Sequence, residues 1–262
     1  MGIASDLTSD VADILKTRWQ SREGRVVPEA ESVNLGNDAV KLDGTVLYAD
    51  LAESTALVKK FPPTFAAEVY KSYLHCASKI IKHYDGVITA FDGDRVMAVY
   101  IGDRKNTNAV RTALAINHAV VKIINPKIET EYPEREYVVR QSIGIDASQL
   151  FVAKTGVRGS NDLVWVGRAA NYAAKMCSLR EGNYTTWISE TIYTHMHDSV
   201  KLSGEGRTMW EERTWTAQGL TVYRSSWIGP HRKESLYDSH AFASNPTGAA
   251  HLAQSQHLNH QG

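Results

Sequence analysis

Hydrophobic residues divide the chain into segments with two different periods. Residues 44–49 form a short apolar run that is typical of a central strand. Further along, apolar side chains recur every three or four positions over residues 65–84, which predicts a long helix. We expect Gly86 to end that helix in a left-handed conformation.

Two β-prone runs follow, residues 87–91 and 95–101, and the dipeptide Asp92-Gly93 between them is typical of a tight hairpin. A second helix is predicted over residues 107–124, and we expect Asn125-Pro126 to end it. Residues 155–162 contain glycine and are predicted to form a loop. Four further runs are strand-like: residues 137–146, 150–153, 185–188 and 220–227.

The order strand, helix, hairpin, helix, strand is that of a ferredoxin-like α+β unit, in which helices flank a mostly antiparallel sheet. Residues 1–43 are predicted to be an N-terminal helix and a polar linker, and residues 44–228 the folded domain. Residues 229–262 are rich in Ser, Ala, Gln, Asn and His, a composition that favours a flexible tail. The histidines of this tail are spaced irregularly, so no metal site is expected there.

Composition excludes several classes of function. The chain has 29 Lys+Arg and 29 Asp+Glu residues, so no overall positive field favours nucleic acid or an anionic membrane surface. No apolar run approaches the roughly 20 residues that span a bilayer, and the first residues do not resemble a secretory leader. We therefore expect a cytoplasmic protein. Its two cysteines, Cys76 and Cys177, fall in helical patterns and are expected to be buried thiols.

Two aspartates carry the predicted chemistry. Asp50 ends the first strand and Asp94 lies at the tip of the hairpin, so both carboxylates should meet at one end of one sheet. Like charges this close repel unless a cation lies between them, and hard oxygen ligands suit Mg²⁺ or Mn²⁺. After Asp50 come small and helix-opening residues whose backbone N–H groups are candidates to bind a triphosphate. They are Leu51, Ala52, Glu53, Ser54 and Thr55.

Three separated segments, together with this order of elements, resemble the class III nucleotidyl cyclases. They are residues 48–55 (YADLAEST), 91–99 (FDGDRVMAV) and 166–176 (VGRAANYAAKM). The resemblance implies that Asp50 and Asp94 hold two Mg²⁺ or Mn²⁺ ions, with the Leu51 carbonyl as a further ligand. It also implies that Asn171 orients the ribose and that Lys175 steadies the transition-state phosphate.

The family builds each active site across a two-fold interface, so the resemblance implies a homodimer with composite sites. Asn171 and Lys175 would then reach the nucleoside triphosphate of the other protomer. The sequence departs from the family at Lys175, where arginine is usual. Lysine keeps the positive charge but loses the planar fork of donors.

The positions that read a purine base in this family correspond here to Ala90 and Val164, neither of which can form a side-chain hydrogen bond. Tyr48 stands where the family commonly has Phe and is expected to narrow the base pocket. This combination is similar to the pyrimidine cyclases of bacterial Pycsar antiphage systems. Their cyclic UMP or cyclic CMP activates a separate effector. We therefore predict UTP or CTP as the substrate, with a slight preference for UTP.

Two alternatives remain open from the sequence. The first is an adenylate or guanylate cyclase with altered base contacts, and the second is an inactive cyclase-like module that binds nucleotide and dimerises. A diguanylate cyclase is disfavoured, because its Gly-Gly-Asp-Glu-Phe hairpin is replaced by residues 91–95 (FDGDR).

Overall fold

The computed structural model describes residues 2–228, and the strands within this range form one nine-stranded sheet. The strands are β1 (Gln20–Glu23), β2 (Asp38–Leu51), β3 (Val87–Asp92), β4 (Arg95–Tyr100), β5 (Gln141–Val157), β6 (Ser160–Val166), β7 (Thr186–Ser189), β8 (Glu211–Trp215) and β9 (Leu220–Ser225). The order is β3-β4-β2-β5-β7-β9-β8, with β1 paired to β2 and β6 to β5. Only the β1–β2 and β5–β7 pairs are parallel.

Seven α-helices lie in the described residues: α1 (Ile3–Lys16), α2 (Ser54–Lys60), α3 (Pro63–His83), α4 (Lys105–Ala119), α5 (Asn125–Glu131), α6 (Arg168–Cys177) and α7 (Glu190–His195). A π-helical turn, Val120–Ile124, joins α4 to α5. None of the described helices combines the length and the apolar character that crossing a bilayer requires. The predicted α+β architecture is confirmed.

Strand β2 divides the core into two layers. Its residues Leu47, Ala49 and Leu51 are buried with the side chains of α3 and α4, whereas Val46 and Tyr48 pack in the cluster that includes α6. Successive strand residues point to opposite faces, so one helix layer covers each face. Burying one such large apolar side chain stabilises the fold by about 1.5–3 kcal/mol.

Four features of the strands differ from the prediction. Strand β2 begins at Asp38 rather than at residue 44, and β1 lies within the expected linker, where Arg22 bonds Asp38 at 2.9 Å. Strand β5 is continuous where two runs were predicted. Residues 155–162 form the β5–β6 hairpin instead of a loop, with Gly156 and Gly159 supplying positive φ.

Two predicted helix ends are also wrong. The helix continues through Asn125-Pro126, because Pro126 lies in the first turn of α5, where its missing N–H is not needed. After α3, Asp85 rather than Gly86 adopts the left-handed conformation, with φ of 61°. Gly86 is needed for space instead, since a Cβ there would lie 2.6 Å from the ring of Tyr100.

Both cysteines are free thiols within helices; Cys177 is fully buried, as expected, and Cys76 only partly. The predicted tail, residues 229–262, lies outside the described residues.

Candidate active site

Asp50 is fixed by its place in the middle of the sheet. It pairs with Arg95 of β4 on one side and with Ser142 of β5 on the other. Its side chain points to the same face as Tyr48, two residues earlier, which is the face covered by α6. Only 13% of the Asp50 side chain is exposed. The carboxylate is therefore held at one end of the sheet by strands on both sides.

Asp94 lies beside Asp50 in the β3–β4 turn. Asp92 pairs with Arg95, so Gly93 and Asp94 form a two-residue turn, and Gly93 supplies the positive φ of 60° that such a turn requires. Arg95, the next residue, is the direct neighbour of Asp50 across the sheet. The prediction that both carboxylates lie at the same end of one sheet is confirmed.

Two positively charged side chains lie beside the Asp50 carboxylate. Asp50 Oδ2 lies 3.5 Å from a guanidinium nitrogen of Arg95 and 3.5 Å from one of Arg180. Burial raises the pKa of Asp50 above its usual value, Arg95 and Arg180 oppose that rise, and the neighbouring charge of Asp94 adds to it. Asp94 Oδ2 is buried and has no hydrogen-bond partner among the described residues. A buried acceptor oxygen in this state is a candidate ligand for a cation.

These residues fit a hard divalent cation. Nowhere in residues 2–228 do three or more His, Cys, Asp or Glu side chains converge, so Asp50 and Asp94 alone would leave most coordination positions open. Mg²⁺ is commonly bound in this way, by one or two carboxylates together with water and phosphate oxygens. The orphaned oxygen of Asp94 and the all-oxygen donor set both match that pattern.

Only some of the backbone amides after Asp50 are available to bind a phosphate group. Leu51 ends β2 and is buried, and the Ala52 N–H donates to the carbonyl of Arg140 at 2.8 Å. This contact corrects the expectation that the Ala52 amide is free. Glu53 takes a left-handed φ of 61°, and Ser54 and Thr55 open α2, where helical geometry supplies no acceptor for the first N–H groups.

The residues predicted to form the base pocket lie in two separate parts of the protomer. Tyr48 and Ala90 both pack in the cluster on the α6 face of the sheet, and Met97 pairs with each of them. Burial raises the pKa of Tyr48, which is half-buried. Val164 lies on β6, where it is 39% exposed.

Val164 lies far from Asp50 within one chain. It pairs with Ala153, which pairs with Ala39, eleven positions before Asp50 on β2. At about 3.3 Å per residue this places Val164 roughly 36 Å along the sheet from Asp50. A single protomer therefore does not bring Val164 to the two carboxylates.

Helix α6 presents Asn171 and Lys175 on its outer face. Both are exposed, and they lie four residues apart on the side opposite to Ala169, Ala173 and Met176, which are buried against the sheet. Within one protomer the two polar side chains thus point away from the sheet that carries Asp50.

Glycine brings α6 unusually close to β5. A Cβ on Gly144 would lie 2.1 Å from the carbonyl oxygen of Ala173 and 2.5 Å from the amide nitrogen of Cys177. Only glycine allows this approach. At the other end of the helix, Arg168 bonds the fully buried Asp146 at 3.1 Å.

Three residues near the carboxylates were not predicted: Arg95, Arg180 and Tyr73. Arg95 directly follows Asp94 in the hairpin motif, so its position was available from the sequence. Tyr73 belongs to the apolar stripe of α3, yet its hydroxyl is buried and finds no hydrogen-bond partner within residues 2–228. Burial raises its pKa well above the usual value, and Cys177, Asp50 and Asp94 add to the rise. Arg180 follows α6 without any motif.

Comparison with known proteins places these features in a family, although no family model matches the chain. It is 50% identical over 229 residues to a uridylate cyclase of Xanthomonas perforans, covering 87% of this chain and 98% of that one. It is 44% identical to a uridylate cyclase of Burkholderia cepacia, with the same coverage. A uridylate cyclase of Rhodovulum sp. (strain MB263) is 39% identical over 233 residues, 87% of this chain and 97% of that one.

Solved structures agree on the fold. The adenylyl cyclase CyaB from P. aeruginosa superimposes with a TM-score of 0.62 at 20% identity, over 74% of this chain and 97% of that chain. A bacterial light-regulated adenylyl cyclase gives a TM-score of 0.63 at 19% identity, over 76% of this chain and 57% of that chain. With the sequence relatives, these matches show that the chain is a nucleotide cyclase with the class III fold and belongs to the uridylate cyclase family.

Proposed function

We propose that this cyclase converts UTP into 3',5'-cyclic UMP and pyrophosphate at a site built on Asp50 and Asp94. The observation that carries the proposal is the pair of neighbouring carboxylates, one of which has a buried oxygen that pairs with no other residue in the described part of the chain. When bound there, two Mg²⁺ or Mn²⁺ ions would supply the Lewis acidity that activates the 3'-hydroxyl and would hold the triphosphate. The Leu51 carbonyl is a further candidate ligand.

The reaction requires precise positioning of one nucleotide. The 3'-oxygen loses its proton and bonds to the α-phosphorus, while the bond from that phosphorus to the bridging oxygen breaks and pyrophosphate leaves. We assign binding of the triphosphate to the amide of Glu53, which directly precedes α2, and to those of Ser54 and Thr55, its first two residues, whose position at a helix start supports this role.

Substrate choice rests on the pocket beside Asp50. Tyr48 and Ala90 flank Met97 on the α6 face of the sheet, and the Ala90 side chain offers no donor or acceptor to a purine edge. Leaving a polar group of the base unpaired costs about 1–3 kcal/mol. The names of the three relatives described above support UTP over CTP. We assign Val164 to the same base pocket, contributed by the other protomer.

The complete site requires two chains in this proposal. Asn171 and Lys175 lie on the outer face of α6, pointing away from the sheet that carries Asp50. A C2 homodimer would let each α6 serve the facing protomer, where Asn171 orients the ribose and Lys175 neutralises charge on the reacting phosphate. We further propose that the cyclic product acts in the cytoplasm as an antiviral signal that a separate effector protein reads.

The test is an assay of the purified chain with Mn²⁺ and each of the four ribonucleoside triphosphates, with products identified by mass spectrometry. Cyclic UMP is expected as the main product, and Asp50→Asn is expected to lower turnover by at least about 100-fold. Asp43→Asn, on the same strand but paired with Lys105, is the matched control and should retain activity. Cyclic AMP or cyclic GMP as the main product would overturn the choice of base. Equal inactivity of wild type and Asp50→Asn would favour a nucleotide-binding module.

A further inference from the structure

Arg180 connects the end of α6 to the candidate metal site. One nitrogen of its guanidinium donates to the carbonyl oxygen of Cys177 at 2.5 Å and to that of Leu179 at 3.1 Å. The other terminal nitrogen lies 3.5 Å from Asp50 Oδ2. The last carbonyls of a helix lack partners within it and attract positive charge, so the guanidinium is well placed between the helix end and the carboxylate.

A divalent cation at Asp50 would meet two positive groups, Arg95 and Arg180, on the same carboxylate oxygen. Like charges at this distance repel strongly in a partly buried site. Arg95 belongs to β4 and is paired across the sheet with Asp50 itself, so its backbone is fixed. Arg180 lies between α6 and β7, in a segment without helix or strand, and its side chain is 39% exposed. The Arg95 side chain is nearly as exposed, at 33%, so the two arginines differ mainly in the backbone that carries them, and Arg180 is the one on an irregular segment.

We propose that Arg180 is a displaceable counter-ion. Its guanidinium pairs with the Asp50 carboxylate until a divalent cation binds there and displaces it. The proposal rests on the metal site proposed above. Displacement would remove the ion pair that links the C-terminal end of α6 to Asp50 of β2, while Arg168 keeps the N-terminal end on buried Asp146. Because α6 also carries Asn171 and Lys175, cation binding in one protomer would reach the helix that serves the other. Arg180 is thus a positioning residue that acts through Asp50.

The test is direct titration of the full chain with Mn²⁺, with free Mn²⁺ measured by electron paramagnetic resonance and no nucleotide present. Arg180→Gln is expected to bind Mn²⁺ about five- to tenfold more tightly than wild type, the effect expected for loss of one competing ion pair. Arg180→Lys keeps the charge and should stay within about threefold of wild type. Arg158→Gln, at an exposed arginine in the β5–β6 turn, is the control and should match wild type. Unchanged or weaker binding by Arg180→Gln would overturn the proposal.

A second measurement, of hydrogen exchange, needs no substitution of Arg180. Hydrogen exchange of residues 178–184 in the wild type should speed up when Mn²⁺ is added, and should not change in Asp50→Asn. Absence of the increase in a wild type that binds Mn²⁺ would refute the counter-ion role and leave the metal site intact. If instead wild type and Asp50→Asn bind Mn²⁺ equally, the metal site itself is wrong.

Discussion

At the scale of single residues, the orphaned oxygen of Asp94 is the most informative feature. A buried acceptor without a partner costs about 1–3 kcal/mol, and none of the described residues pairs with Asp94 Oδ2, so we expect binding of a cation there to stabilise the folded protein. The two carboxylates also lie within each other's field, which adds to the pKa rise of Asp50. The site is therefore expected to be less stable empty than occupied.

Mn²⁺ should raise the melting temperature of the protein. A ligand that binds only the folded state at about 100 times its Kd adds about 2.7 kcal/mol, which corresponds to roughly 5–10 °C for a domain of this size. Asp94→Asn should lose most of this increase, since the replacement lacks the charge. Thermal unfolding followed by circular dichroism measures the effect, with Asp43→Asn as the control. A shift that is equal in wild type and Asp94→Asn would contradict the assignment of Asp94.

Tyr48 is expected to exclude large bases through its bulk. Tyr48→Ala should reduce the preference for UTP over ATP, measured as the ratio of kcat/KM values, by about tenfold or more. Tyr48→Phe keeps the ring and removes the hydroxyl, so it separates exclusion by size from hydrogen bonding. A ratio that changes as much in Tyr48→Phe as in Tyr48→Ala would show that the hydroxyl, rather than the bulk, selects the base.

At the scale of elements, the contact between α6 and β5 depends on Gly144. Its hypothetical Cβ would lie 2.1 Å from the carbonyl oxygen of Ala173, so any larger residue must push the helix away from the sheet. Gly144→Ala is expected to lower the free energy of unfolding by about 3 kcal/mol or more. Urea denaturation measures the loss. Gly2→Ala, at the N-cap of the exposed helix α1, where a Cβ would meet no described atom within 4 Å, should have a much smaller effect. A small change in Gly144→Ala would mean that α6 is mobile on the sheet.

The sequence predicted those elements whose local chemistry agrees with the fold. The β3–β4 hairpin is predictable because its turn requires Gly93, and α3 because its apolar residues recur every three or four positions. The sequence does not predict the β5–β6 hairpin, because Gly156 and Gly159 are equally typical of a loop, although their positive φ values of 101° and 85° suit the hairpin. Local sequence does not reveal which partner strand a glycine-containing segment will find.

The residues of the candidate site also divide into those that the sequence predicts and those that it does not. Asp50 and Asp94 are predictable because each belongs to a recognisable local element, Asp50 to the last residues of β2 and Asp94 to the β3–β4 turn. The position of Arg180 depends on how far α6 extends along β5 and on which strand lies beneath its end, and neither is encoded within a few residues of Arg180. Contacts that depend only on tertiary packing leave no local pattern, so the arginine was found only in the structure.

At the scale of the whole molecule, the outward position of Asn171 predicts complementation between two inactive variants. Asp50→Asn and Asn171→Ala should each be nearly inactive alone. If the variants are mixed and subunits exchange, half of the dimers are mixed and each has one intact site, so about a quarter of wild-type activity should return. The readout is formation of cyclic UMP. If dimers exchange subunits and no activity returns, each site lies within one protomer.

The two carboxylates are supported in different ways. Strand β2 holds Asp50 between neighbours on both sides, whereas Asp94 lies in a two-residue turn at the margin of the sheet. A longer or shorter turn would therefore move Asp94 and leave Asp50 in place. Turn length thus offers protein engineers a separate means of adjusting the spacing of the two proposed metal ligands, and with it the size of ion that the proposed site accepts, without redesigning the interior.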